Sequence, residues 1–298
     1  MEPIWEWGNN IIVSIQAVHN PTLDGFFNAI TFLGESEFFL ILFPFIIWTL
    51  NKSIGLRLTY LGIISLLVMT WAKLAVGHPR PYEWPATETS PVLKLNEKAY
   101  GPGLPSGHTQ LSLTIWFYLA YHFKRPWLWV VAAILFILVS FSRVYLGVHF
   151  PTDLLGGALL GLIILLLYIR FEDVLVSKLS AQTIWIQIGL AIVLPFLIIL
   201  FYRHPDILGL CSTLSGVSLG IIFDNHKVNF EVSGSILRRA ARYIVGIIVL
   251  AIIYFGLKRI IPAPEHILHT PLDILRYVIA GFWLSGGAPW MFKRVNLA

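Results

Sequence analysis

Residues 127–170 read WLWVVAAILFILVSFSRVYLGVHFPTDLLGGALLGLIILLLYIR. Two nearly continuous apolar runs, 127–145 and 152–170, lie on either side of a short turn. A helix needs about 20 mostly apolar residues to cross a bilayer, so each run is long enough to cross it once. The stretch therefore predicts a pair of membrane-spanning helices. Arg143, His149 and Asp153 lie at their junction, where they are available for chemistry.

The whole chain is more apolar than a soluble protein. Of its 298 residues, 57% are hydrophobic and only 12% are charged, and the mean hydropathy is +0.75. Soluble domains carry about 25% charged residues, so this composition excludes an ordinary soluble domain. We predict an all-α, polytopic integral membrane protein with about nine transmembrane helices, at the apolar runs 36–51, 55–76, 107–122, 127–145, 152–170, 183–202, 206–223, 241–258 and 270–290.

Basic residues are concentrated in alternate loops between the predicted spans. Twelve of the 21 Lys and Arg residues fall in one set of loops and in the C-terminal tail. Because short cytoplasmic loops carry the excess of Lys and Arg, we expect the N-terminus outside and the C-terminus inside. The net charge of +5 then reflects topology, and no nucleic-acid partner is expected. Residues 4–15 mix Trp and Ile with polar residues, which is typical of an interfacial helix or of a packing helix.

Three polar clusters interrupt the apolar pattern, each at the outer end of a predicted span. Between the second and third clusters the chain has room for one inward and one outward crossing, so both return to the same membrane face. Topology alone therefore predicts that the clusters meet. They are Lys73-x6-Arg80-Pro81, Pro105-Ser106-Gly107-His108 and Ser142-Arg143-x5-His149-x3-Asp153.

The side chains of these clusters suit a phosphate group. Arg presents a planar fork to phosphate oxygens, and backbone amides at a helix start point towards bound anions. Ser106 can donate a hydrogen bond, and Gly107 permits close approach of the backbone. The three cations Lys73, Arg80 and Arg143 exceed what a single carboxylate would require, so the predicted ligand is a phosphate.

Two histidines supply the reacting groups. Asp153 follows His149 by four residues, so its carboxylate can hold one ring nitrogen protonated and leave the other free to attack phosphorus. His108 is then the general acid that protonates the departing oxygen, and the covalent product is phosphohistidine. Metal coordination by His149 and Asp153 is disfavoured, because these ligands are too few and three cations surround them. His78 is expected in a loop at the edge of the site.

Together the clusters resemble the signature of the type-2 phosphatidic acid phosphatase (PAP2) superfamily, at all eleven specified positions. That superfamily includes lipid phosphate phosphatases, phosphatidylglycerophosphate, undecaprenyl pyrophosphate and sphingosine phosphate phosphatases, and glucose-6-phosphatase. The resemblance implies hydrolysis without a metal or cofactor, with His149 as nucleophile, Asp153 as its partner and His108 as acid. It implies phosphate binding by Lys73, Arg80, Ser106, Gly107, His108 and Arg143.

The resemblance also suggests a division of the chain. We expect N-terminal interfacial helices in 1–35, a PAP2-like catalytic core in 36–170 and an extension of about four transmembrane helices in 171–298. This layout, with nine spans and an outside N-terminus, is similar to that of glucose-6-phosphatase and the sphingosine phosphate phosphatases.

The expected function is hydrolysis of an amphiphilic lipid phosphate or pyrophosphate. Because the clusters lie at span ends, the substrate would reach them laterally from the lipid of the outer leaflet. The expected location is a bacterial inner membrane, with the site facing the periplasm or exterior. A soluble sugar phosphate as substrate and transfer of the phosphoryl group to another lipid remain alternatives. An anion transporter is a further alternative, although transporters place charges near the membrane midplane.

Overall fold

The protein is described by a computed structural model that covers residues 2–84, 90–96 and 98–297, without the side chain of Glu2. Within these ranges the regular structure is helical and contains no β-strand. The prediction of an all-α protein is therefore confirmed for the described part of the chain. Part of the predicted loop 78–104, namely 85–89 and 97, lies outside the described residues.

The helices follow one another with short connections, except for the loop after α4. Four π-helical turns, Ile46–Leu50, Asp224–Val228, Ile252–Gly256 and Trp283–Gly287, extend or join the α-helices. In the described ranges the α-helices are α1 (Glu2–Gln16), α2 (Pro21–Phe32), α3 (Ser36–Phe45), α4 (Lys52–Val76), α5 (Gly107–Phe123), α6 (Pro126–Tyr145), α7 (Pro151–Ser180), α8 (Ile184–Phe201), α9 (Pro205–Phe223), α10 (Ile236–Ala251), α11 (Leu257–Ile260), α12 (His269–Phe282) and α13 (Ala288–Arg294).

Fewer helices than the predicted nine are long and apolar enough to cross a membrane. In the described part of the chain six meet that requirement, and a seventh crossing results if α2 and the segment Ser36–Leu50, bent by 51°, form one broken span. Predicted runs 36–51, 107–122 and 270–290 are helical but fall outside the six. The first is short by itself, and α5 has only 17 residues. The last is less apolar, because Asp273 and Arg276 lie within the 14 residues of α12.

Apolar side chains on the protein surface support membrane insertion. Helix α8 is almost entirely apolar, yet Trp185 and Phe201 are 79% and 86% exposed. Large exposed apolar surfaces are rare on soluble monomers. Such a helix is stable when lipid rather than water surrounds it, so this chain is an integral membrane protein.

The chain divides into two compact units. The first, termed the site unit, comprises Met1–Phe39 and Ile64–Arg170, and the second comprises Leu40–Ile63 and Phe171–Ala298. In the site unit α6 packs against α5, α2 and α1. The predicted division at residues 35 and 170 stays a prediction.

The second unit is held together by close helix packing. Helix α9 packs closely against α12, where a Cβ added at Gly216 would lie 2.1 Å from the carbonyl oxygen of Val278. Small residues let helix backbones approach in this way, which is how helices associate in membranes. Beside this contact, Trp48 and Phe292 pack edge to face in a buried cluster.

Candidate active site

Arg80 is anchored by backbone carbonyl groups rather than by carboxylates. It is 4% exposed, and its Nε, Nη1 and Nη2 atoms donate to the carbonyl oxygens of Gly101, Val148 and Tyr100 at 2.7, 2.7 and 2.8 Å. Carbonyl groups fix the guanidinium without cancelling its charge. Arg80 therefore keeps a full positive charge that can bind an anion.

Lys73 lies in the last turn of α4 and is held in the same way. Its ammonium group donates to the carbonyl oxygens of Pro102 and Gly103, the second at 3.3 Å. The loop that provides these carbonyls is fixed in turn, because the Gly103 amide donates to the carbonyl oxygen of His78 at 2.7 Å. Lys73 and Arg80 thus share one loop as their support.

The start of α5 packs against the start of α7. The Ser106 amide donates to the carbonyl oxygen of Asp153 at 3.0 Å, and a Cβ at Gly157 would lie 2.5 Å from the Ser106 carbonyl oxygen. Ser106 Oγ accepts a hydrogen bond from Thr109, so its own O–H is available to donate. At Gly107 an added Cβ would approach Met69 Cε to 3.2 Å. The second and third sequence clusters are thereby brought together.

His149 and Asp153 form a buried pair across the first turn of α7. His149 Nδ1 lies 3.2 Å from Asp153 Oδ2, which also accepts a hydrogen bond from the Phe150 amide at 3.0 Å. On the other side of the ring, His149 Nε2 lies 3.5 Å from Arg80 Nη1. A carboxylate can only accept and a guanidinium can only donate. The proton of His149 is therefore on Nδ1, and the lone pair is on Nε2.

The protonation of His149 follows from its surroundings. It is 2% exposed, and burial lowers its pKa well below the usual value. The positive charges of Arg80, Lys73 and Arg143, together with that of His108, lower this pKa further. The imidazole is therefore neutral near pH 7, and its Nε2 can act as a nucleophile.

Two polar atoms of the predicted phosphate-binding residues are buried and lack partners in the described part of the chain. Arg143 donates from Nη1 to Thr31 Oγ1 at 2.6 Å, while its Nε has no hydrogen-bond partner there. His108 Nε2 is likewise buried without a hydrogen-bond partner. The His108 ring lies beside Gly34, where an added Cβ would be 3.3 Å from His108 Cδ2. Buried polar groups are nearly always hydrogen-bonded. Both atoms can serve a bound anion.

The N-terminal helix supports the site. Gln16 on α1 donates from Nε2 to the carbonyl oxygens of Leu93 and Tyr145 at 2.8 and 3.0 Å, and its Oε1 accepts from the Leu93 amide at 2.9 Å. These bonds tie α1 to the long loop and to the end of α6. Within residues 4–15 the side chains of Asn9 and Ile12 are buried, as a packing helix requires, and the interfacial interpretation stays a prediction.

The structure gathers all the predicted site residues in the site unit. Sequence reasoning missed three of their supports. Thr31, the partner of Arg143, belongs to no cluster; a single threonine within an apolar helix gives no signal. Gly103 leaves space for Asp153, because an added Cβ there would lie 2.9 Å from Asp153 Oδ2. Its position two residues before Pro105 is a sequence signal that could have indicated a role at the site. His78 was assigned only to the edge of the site, yet its Nδ1 lies 3.5 Å from Asp153 Oδ1.

Comparison with known proteins identifies matching families and relatives. The model of the PAP2 superfamily matches residues 54–176, and that of the PAP2 superfamily phosphatase, transmembrane extension, matches residues 208–298. Phosphatidylglycerophosphatase B of Bacillus subtilis is 31% identical over 166 residues, 52% of this chain and 78% of that protein. Lipid phosphate phosphatase delta of Arabidopsis thaliana is 25% identical over 233 residues, 72% of this chain and 55% of that protein.

A solved structure shares the fold. The crystal structure of the first transmembrane PAP2 type phosphatidylglycerolphosphate phosphatase from Bacillus subtilis matches with a TM-score of 0.50 at 24% identity, over 58% of this chain and 88% of that chain. This chain spans little more than half the length of the Arabidopsis relative.

Proposed function

The chain belongs to the PAP2 superfamily of phosphatases, and on that basis we propose that it hydrolyses a lipid phosphate or pyrophosphate through a phosphohistidine formed on His149. One observation carries the proposal. A buried imidazole with its proton on Nδ1, facing Asp153, has its free Nε2 beside the uncancelled charge of Arg80. A phosphoryl group held by that cation is in reach of that lone pair.

The reaction would proceed in two displacements. His149 Nε2 attacks phosphorus while the bond to the leaving oxygen breaks, and protonated His108 gives its proton to that oxygen. Water then attacks the phosphohistidine, with neutral His108 taking a proton from it, and inorganic phosphate leaves His149 as it began. Lys73, Arg80 and Arg143 stabilise the negative charge on the equatorial oxygens, and Ser106 and the amides near Gly107 donate to them.

Asp153 fixes the productive form of the nucleophile. Its Oδ2 accepts from both the His149 ring and the Phe150 amide, so the carboxylate cannot rotate without losing two hydrogen bonds. It keeps Nδ1 protonated and stabilises the positive charge that the ring gains on attack.

The proposed substrate is an amphiphilic phosphate. The relatives are named as a lipid phosphate phosphatase and a phosphatidylglycerophosphatase. Exposed apolar helices such as α8 support insertion in lipid, where such a substrate is concentrated. A lipid tail that stays in the bilayer leaves only its headgroup to be recognised by the cations.

A substrate panel tests this function. Phosphate release by purified enzyme with EDTA should be highest for long-chain substrates among phosphatidic acid, phosphatidylglycerophosphate, prenyl pyrophosphate and sphingosine phosphate, because each buried CH₂ contributes about 0.8 kcal/mol. Glucose 6-phosphate should be a poor substrate.

Preference for glucose 6-phosphate would indicate the soluble-sugar alternative, and loss of activity with EDTA would indicate a metal mechanism. Phosphoryl transfer to an added lipid in place of water would indicate a phosphotransferase, and transport of phosphate by proteoliposomes without hydrolysis would indicate a transporter.

The proposed orientation has nine spans, the N-terminus outside, the C-terminus inside and the site at the non-cytoplasmic face of a bacterial inner membrane. It is supported by the distribution of Lys and Arg among the loops. In a bacterial host, a green fluorescent protein fused after Ala298 should fluoresce, whereas alkaline phosphatase fused there should be inactive. The reverse pair of results would place the C-terminus outside and contradict the proposal.

A further inference from the structure

A second imidazole, that of His78, lies beside the catalytic carboxylate. His78 Nδ1 is 3.5 Å from Asp153 Oδ1, and the two side chains are 10% and 0% exposed. Within the described part of the chain both atoms are buried without a hydrogen-bond partner. Two buried polar atoms that lie this close and have no hydrogen-bond partner need an explanation.

The protonation of His78 is set by a tryptophan. Trp5 Nε1 lies 2.6 Å from His78 Nε2, and the two rings meet edge to face at 4.9 Å. An indole nitrogen can only donate, so His78 Nε2 accepts and carries no proton. The ring proton of His78 is therefore on Nδ1, the atom that faces Asp153.

The two carboxylate oxygens thus have donors on opposite sides. Oδ2 accepts from the His149 ring and the Phe150 amide, and Oδ1 faces the Nδ1–H of His78. At 3.5 Å the second contact is long, but hydrogen bonds around catalytic groups often tighten when substrate binds. Contraction here would hold the carboxylate in the plane that aims its other oxygen at His149.

We propose that His78 is a positioning residue that acts on the nucleophile through Asp153, and that Trp5 locks it in the donating tautomer. This rests on the proposed function, because His78 is assigned a role in that reaction and touches no substrate. Helix α1 is thereby part of the catalytic apparatus, since it carries Trp5.

Neighbouring groups keep the pair in place. Trp84 packs edge to face on Trp5 at 5.9 Å, and Phe150 packs in the same way on His78 at 5.9 Å. Asn9 on α1 donates to the Trp84 carbonyl oxygen at 3.1 Å. The indole N–H of Trp5 can therefore be removed without removing the packing around it.

Four variants separate a donor effect from a packing effect. His78→Leu removes the donor and should lower kcat by about 10-fold to 100-fold, with KM nearly unchanged, which is the scale seen in metal sites when the hydrogen-bond partner of a ligand is lost. His78→Asn keeps an N–H near the position of Nδ1 and should recover most of that loss. Trp5→Phe keeps an aromatic side chain but removes the indole N–H, so His78 can adopt either tautomer and kcat should fall. Trp185→Phe, the matched control, makes the same exchange at an exposed position on α8 and should leave kcat as in the parent.

NMR of nitrogen-labelled histidine gives an independent readout. In the parent enzyme the His78 proton should be on Nδ1, and in Trp5→Phe a population with the proton on Nε2 should appear. A proton on Nε2 in the parent would overturn the proposal, as would parental kcat in His78→Leu or equal losses in His78→Leu and His78→Asn. His149→Ala distinguishes this failure from that of the proposed function: if it is inactive while His78→Leu is fully active, only the role of His78 falls.

Discussion

Replacing His149 with alanine is expected to lower kcat for phosphate release by about 10⁴-fold or more, the scale on which removal of a covalent nucleophile acts in other hydrolases. The ring is the group whose Nε2 faces the Arg80 guanidinium, and no other side chain in the proposed reaction forms the covalent intermediate. Lipid phosphate would still bind, because Lys73, Arg80 and Arg143 are unchanged. Release of inorganic phosphate from the purified variant measures the effect.

A matched control is available in the second unit. His226 is exposed and lies in the π-helical turn Asp224–Val228, so His226→Ala makes the same chemical change at a residue with no role in the proposed reaction. Its kcat should equal that of the parent. Full activity of correctly folded His149→Ala would overturn the assignment of the nucleophile.

The second large effect is expected at His108. As the general acid, His108 contributes about 10²-fold to 10⁴-fold in kcat when the leaving oxygen is a poor leaving group, such as an alkoxide. His108→Ala should therefore lose that factor with phosphatidic acid. With p-nitrophenyl phosphate the leaving oxygen needs no proton, so the loss in the first displacement should be much smaller.

The comparison between the two substrates carries the test. Because both substrates form the same phosphohistidine, a burst of p-nitrophenol before the steady state, with substrate in excess, isolates the first displacement. Equal losses of the burst rate and of phosphatidic acid cleavage in His108→Ala would mean that His108 only binds phosphate. His108→Gln, which keeps a donor but cannot transfer a proton, should resemble His108→Ala with phosphatidic acid.

The convergence of the three clusters was predictable because it follows from topology. His108 lies at the start of α5 and Arg143 at the end of α6, and these two consecutive helices bring their clusters back to one end of the pair. The pairing of His149 with Asp153 was predictable because Pro151 favours a helix start between them, so the Asp153 side chain in the first turn can reach back to His149. Both inferences use only local spacing and the length of a span.

Contacts between distant parts of the chain were not predictable from spacing. Thr31 and Arg143 are 112 residues apart, and Trp5 and His78 are 73 apart. Their side chains meet because α1 and α2 pack on α6 and the long loop, and that packing leaves no periodic signal in the sequence. The roles of Trp5 and His78 emerge only when the orientation of the rings is known.

In the described part of the chain six helices are long and apolar enough to span, fewer than the nine apolar runs, and the burial of polar groups gives one reason for the difference. Helix α5 places Gln110, Ser112 and Thr114 in the protein interior, where Gln110 donates to Ser65 Oγ at 3.0 Å. A helix that buries polar groups beneath the site can be short and only moderately apolar. Composition alone counts such a helix together with those that face lipid, so length and burial must be known before the spans are counted.

Trapping the covalent intermediate tests the central claim most directly. Enzyme mixed with substrate carrying a radiolabelled phosphate, and quenched in alkali within one turnover, should carry the label on one histidine, and peptide mass spectrometry should locate it at His149. The label should be absent from His149→Ala and should accumulate if water attack is slowed. Turnover with no labelled protein at any quench time, or a label on another residue, would contradict the account.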